Sequence, residues 1–150
     1  MKAALVLALI MAAARKPDPK WLSLEANVTV PPAVSRILAR ACANCHSNDT
    51  VWPWYARLTP INWLLQNDVQ RARAAMNLST WATGAGRTTT TAASTLSAAC
   101  ADVRSGRMPL APYRLLHPES RLTARDQQVF CDWANRASQD LLSPPPPAAP

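Results

Sequence analysis

Two cysteines three positions apart, Cys42 and Cys45, with His46 directly after the second, restrict this chain more than any other feature. On a helix three residues make nearly one turn, so both thiols emerge on one side. A histidine one step further can swing its ring toward whatever the thiols hold. The run Cys42-Ala43-Asn44-Cys45-His46 is the attachment signature of haem c, in which two thiols meet the vinyl groups and the imidazole meets the iron. Two other chemistries use close cysteine pairs. Zinc wants four ligands, usually two close pairs, and the other cysteines, Cys100 and Cys131, are single and far apart. A thioredoxin-like redox pair expects a βαβ setting, whereas the flanking sequence has helical periodicity. One covalently bound haem is the cofactor expected.

The rest of the chain suits a small helical protein. Its 150 residues are enough for one domain with a core, and 49% hydrophobic composition argues against disorder. Alternating β-branched runs are scarce, so no sheet of consequence is expected. From residue 31 to 43, Val34, Ile37, Leu38 and Ala41 recur at helical spacing, with Pro32 suited to a first turn. This predicts a helix that packs by one stripe and delivers its C-terminal end to the motif. A second helix is expected from about Thr95 to Arg104, the Thr-rich run before it being poor helix former. A third starts after a capping Thr123, with Val129, Phe130, Trp133, Ala134 and Ala137 on one face. The fold class expected is all-α, a small helical domain wrapped around one haem, with long loops.

The ends have their own signatures. Met1-Lys2 is followed by an unbroken apolar run, residues 3–14, and small residues at its close. That reads as an export signal over 1–14, or a short N-terminal anchor giving membrane association. A linker over 15–30, the haem domain over 31–142 and a Pro-rich tail over 143–150 complete the division. Export places the domain in the periplasm or outside the cell. There cysteines tend to be bonded. Cys100 and Cys131 are therefore expected as a disulfide, against free buried thiols or pairing with other chains.

A haem iron bound by His46 has a sixth position to fill. Met108 lies between Gly106, a helix terminator, and Pro109, which prevents a new helix, so its thioether sits on a stiff loop. It is the distal ligand expected. Met76, at helical spacing with Val69 and Ala72, reads as core. His117 is the other histidine, and an open iron is the third option. An open site beside His117 and Glu119 would suit an enzyme or sensor, peroxidase-like or ligand-binding. With Met108 bound, a non-enzymatic electron carrier is expected.

The long block from Cys42 to Val69 resembles the bacterial haem-binding domain family of small c-type cytochromes. Its pattern of Cys-x-x-Cys-His-Ser-Asn-x-Thr-x-Trp-Pro-Trp-Tyr corresponds to Cys42, Cys45, His46, Ser47, Asn48, Thr50, Trp52, Pro53, Trp54 and Tyr55, with Trp63 beyond. Asn77, Ser79 and Trp81, then Met108-Pro109-Leu110, Tyr113, His117-Pro118-Glu119 and Asp132-Trp133-Ala134, continue the likeness over roughly residues 31 to 137. Between Ala82 and Ala99 the chain departs from it, since a Thr/Ala-rich stretch replaces a more charged one. The resemblance implies a helical, cytochrome-c-like domain with Met108 as distal ligand. It also implies that Trp52 or Trp54 shields the haem, for which indoles offer apolar area and an N–H donor.

The formal net charge is +7, from 16 Lys+Arg and 9 Asp+Glu. Such a surface favours an acidic redox protein as partner. Nucleic acid is not expected as a partner, because export separates the two.

Overall fold

The computed structural model describes residues 23–25, 28–81 and 88–143. The expected export segment and the Pro-rich run after Ser143 lie outside the described residues. Among those described, the protein is helical. Six α-helices follow a minimal antiparallel ribbon of β1 (Ser23–Glu25) and β2 (Val28–Thr29). They are α1 (Pro32–Ala41), α2 (Ala43–His46), α3 (Ile61–Ala75), α4 (Thr89–Arg104), α5 (Ala111–Leu116) and α6 (Ala124–Leu142). Short 3-10 turns occupy Trp54–Arg57, Leu78–Thr80 and Pro118–Ser120.

The core forms where α4 packs along α6 and α1 crosses them. Val34, Ile37 and Leu38 of α1 meet Leu96, Cys100 and Val103 of α4, and Phe130, Trp133, Ala134 and Ala137 of α6. The expected stripe of α1 is the buried one, with Ala41 included. The core also reaches upstream of residue 31. Val28 and Val30 are buried in it, and Trp133 Nε1 donates to the Thr29 carbonyl at 3.1 Å.

Cys100 and Cys131 are disulfide-bonded, with Cα atoms 5.0 Å apart. The bond fastens α4 to α6 within this core. Thr123 caps α6 as its sequence predicts, in a reciprocal box. Its Oγ1 accepts from Asp126 N at 3.1 Å, and its own N–H donates to Asp126 Oδ2 at 2.9 Å.

Two helices differ from expectation. α4 starts at Thr89, more than a turn before Thr95. Thr88 caps it by accepting from Thr91 N at 3.1 Å, and Ala92, Ala93 and Leu96 are buried. Burial of an apolar face outweighs the weak propensity of threonine, whose cost is a few tenths of a kcal/mol per residue. The helix before the motif is also not continuous to Ala43. It breaks at Cys42 (φ −121°, ψ −42°), which closes α1 and opens α2.

Candidate functional site

The break at Cys42 builds the site. Its N–H still bonds to Leu38 O, but its carbonyl accepts from both Cys45 N at 3.1 Å and His46 N at 2.9 Å. The motif is thus a separate tight turn, one that changes direction from α1. Arg40, just before it, ties that end of α1 down. Its guanidinium donates to the carbonyls of Glu119 and Arg121, at 2.8 and 3.0 Å, and pairs with Asp126 at 2.7 Å.

His46 is held through its Nδ1, which lies 2.9 Å from the Met76 carbonyl. A carbonyl oxygen only accepts, so Nδ1 carries the proton. That leaves the Nε2 lone pair to a metal, the arrangement by which histidine ligands are oriented. Met76 follows the last residue of α3, and its N–H bonds to Ala72 O at 2.8 Å, which fixes the carbonyl that grips the ring.

The residues after His46 are strapped to α3 and to the Leu78–Thr80 turn. Ser47 is fully buried and donates to Ala43 O at 2.7 Å. Arg73 donates from Nε to Ser47 O at 2.9 Å and from Nη2 to Thr50 Oγ1 at 2.8 Å, while Thr50 donates to Asn44 O at 2.7 Å. Asn48 N donates to Ser79 Oγ at 2.9 Å, and Asn77 Nδ2 to Asn48 Oδ1 at 3.0 Å. The polar residues of the two separated sequence blocks therefore bond to one another and fix the loop behind His46.

Cys42, Cys45, His46 and Met108 all line one cavity of about 700 Å³. Its walls are mainly small and apolar, with Ala72 and Ala75 from α3 and Ala98, Ala99 and Val103 from α4. That volume is in the range of cofactor pockets, about 300–1,000 Å³. Met108 reaches the cavity on the turn that follows α4. Gly106 takes φ +72°, the left-handed conformation that ends α4 and that a side chain would strain. Met108 N–H then bonds back to Asp102 O at 3.1 Å, and Arg107 pairs with Asp102 at 2.6 Å. Met76 also lines the cavity, in addition to its place in the core.

Burial, helped by neighbouring Cys45 and opposed by Arg40, pushes the Cys42 thiol up to about 12. Burial and Asp68 raise Cys45, against the pull of Arg73. Both groups remain thiols near neutral pH, unlike the activated thiolates of redox pairs. Among the described residues no group of three or more His, Cys, Asp or Glu is placed to hold a metal ion.

Trp52 and Trp54 do not join the cavity. They are 49% and 77% exposed, and neither is among its lining residues. Tyr55 is the reason. Its hydroxyl bonds to His117 Nε2 at 2.7 Å, and in the 3-10 turn a step of one residue rotates the side chain by about 120°, so Trp54 points elsewhere. His117 is also outside the cavity lining. Its Nδ1 meets Glu119 Oε1 at 3.1 Å, so both ring nitrogens are engaged.

Among the described residues Phe130 and Tyr113 are the aromatics that line the cavity, and Tyr113 is the one beside His117. It stacks on His117 with centroids 4.3 Å apart and accepts from Asn44 Nδ2 at 2.8 Å. Burial pushes its phenol above the ordinary value, so it stays protonated. Sequence reading gave no role to Asn44, Asp68, Arg71 or Arg73. Asp68 and Arg71 stand one turn apart on α3, but that spacing carries no sign of the distant motif.

A family model described as a haem-binding domain matches residues 3–136 of the chain. The chain belongs to that family. It binds haem, and the cavity holding the Cys42–His46 motif is the site whose donors fit one: an oriented imidazole, a thioether, two thiols and small apolar walls. The match extends well upstream of the likeness visible from residue 31. No curated protein and no solved structure matches the chain.

Proposed function

We propose that this haem-binding protein is a monohaem c-type cytochrome that transfers electrons. In this reading Cys42 and Cys45 carry thioether links to one haem, His46 Nε2 is the proximal ligand and Met108 the distal one. The observation that carries it is the convergence of these four residues on a single cavity, with the His46 tautomer fixed by the Met76 carbonyl.

A haem so ligated supplies one-electron exchange, and the Met/His pair raises its potential. The protein's own contribution is orientation and exclusion of water. The Met76 carbonyl holds the imidazole in its metal-binding tautomer. The Gly106 turn and the Met108–Asp102 bond hold the thioether on a short leash. Alanines of α3 and α4 leave room for a broad flat group and give it apolar walls. His117, committed to Tyr55 and Glu119, is not offered to the cavity as an acid or base, which favours a carrier over an enzyme.

The apolar N-terminal run supports export to the periplasm. Among the described residues no helix is long and apolar enough to cross a membrane, so anchoring would fall to that run. The basic balance favours an acidic redox partner.

The optical spectrum of protein matured with cytochrome c assembly machinery tests the reading. A low-spin haem with a weak sulfur-to-iron band in the oxidised state is expected, together with the mass of one covalent haem. Met108→Ala should remove the band and Met76→Ala should leave it. Covalent haem with the band intact in Met108→Ala would reject the ligand assignment, and wild-type protein without covalent haem would reject the class.

A further inference from the structure

We infer that Arg71 anchors the haem propionates, an extension that rests on the haem c reading above. Haem carries two carboxylates on the edge away from its vinyl groups. A haem held at its vinyl edge by Cys42 and Cys45 therefore sets two anions at the far part of the cavity, where they need a donor that reaches solvent.

Among the described residues Arg71 is the one Lys or Arg whose side chain lines the cavity. Its neighbours on the chain's charge map are committed elsewhere. Arg73 is spent on Ser47 and Thr50, and Arg40 on Asp126 and two carbonyls. Of the two lining carboxylates, Asp102 is neutralised by Arg107 and Asp68 acts on Cys45. Asp68 stands one turn before Arg71 on α3, so a carboxylate reaching that wall meets the guanidinium that offsets the Asp68 charge. Arg71 itself makes no hydrogen bond or ion pair with the described residues, and its side chain is exposed. Its planar fork matches a carboxylate in two parallel bonds. An arginine whose stem merely covers the wall would show none of the electrostatic effects below.

The sign of those effects is fixed. Oxidised haem bears one more positive charge than reduced haem, so a cation beside it favours reduction. Arg71→Gln should shift the redox equilibrium toward the oxidised form by roughly three- to tenfold, about 30–59 mV for one electron. It should also raise the propionate pKa and move the pH-dependent part of the potential upward in pH. Arg71→Lys, which keeps the charge, should restore most of both. In the reduced wild-type protein, nuclear Overhauser contacts are expected between Arg71 side-chain protons and the propionate methylenes. That measurement needs no variant and serves where Arg71→Gln fails to mature. Wild-type potential and pH profile in a haem-loaded Arg71→Gln protein, or absence of those contacts, overturns the assignment. Loss of covalent haem from the wild type is a different failure, that of the cytochrome reading itself.

Discussion

His46 donates its Nδ1 proton to the backbone carbonyl of Met76, 2.9 Å away, thirty positions further along the chain. The bond joins the end of the attachment turn to the end of α3, and it selects the tautomer. In haem-free protein, long-range proton–nitrogen NMR correlations should show His46 protonated at Nδ1 and bare at Nε2. The opposite tautomer would mean that the ring is not preset for metal and must turn on binding. The measurement reads the ring directly, so it needs no substitution of a backbone acceptor.

Arg73 is the strap behind that ring. It gives two charge-assisted bonds, to Ser47 O and Thr50 Oγ1, and both acceptors belong to the loop that follows His46. Hydrogen bonds from charged groups contribute about 1.5–3 kcal/mol when buried, and this one is partly solvated. Arg73→Met keeps the apolar stem and loses both bonds. Denaturant titration should show a loss of about 2 kcal/mol, with the slope of the transition unchanged. An unchanged midpoint would show that the loop is held by its contacts with Asn77 and Ser79 alone.

The sequence made the helices and the motif legible because both depend on local spacing. Val34, Ile37, Leu38 and Ala41 announce α1, and Thr123 announces α6, through short-range rules that tertiary packing left intact. The start of α4 was not legible. Its threonines are judged by propensity, and only contact with α6 shows that Ala92 and Ala93 are worth burying. Among site residues, Met108 was legible from its Gly106 and Pro109 neighbours. That Trp54 lies outside the cavity lining was not legible, since the bond between Tyr55 and His117 acts across 62 positions and leaves no local trace. The Met76 carbonyl was invisible for a simpler reason: a backbone acceptor has no residue type. Arg71 and Arg73 look alike in sequence, two positions apart on one helix, and only the structure separates the cavity wall from the strap.

The Cys100–Cys131 bond spans 31 positions between α4 and α6, and Met108 lies within the loop it closes. Closing a loop of that size in the unfolded chain is worth about 3–4 kcal/mol in the chain-entropy model. Replacing both cysteines by alanine should lower stability by about that amount. Chemical denaturation of the haem-loaded protein with and without reductant checks it independently, since reduction should mimic the double variant. Equal stability of reduced and oxidised protein would show that α4 and α6 need no staple beyond their packing.

Asp126 makes stability depend on acid. The hydrogen bond from Thr123 and, beside it, the Arg40 guanidinium hold its carboxyl down at about 2, against 3.8 for an ordinary aspartate. A folded-state value below the unfolded one means that the native protein resists protonation at this site. The stabilisation is present in full above about pH 4 and is lost as pH falls toward 2. Protonation would weaken the α6 cap and the tie from Arg40 together, since Oδ2 serves both. The group keeps some contact with water, so the effect is smaller than the shift alone suggests. Asp126→Asn should be less stable than wild type at pH 6, and the gap should close between pH 4 and pH 2. Thermal unfolding followed by circular dichroism across that range gives both curves. A gap that stays constant down to pH 2 would assign the loss to the shape of the cap and not to its charge.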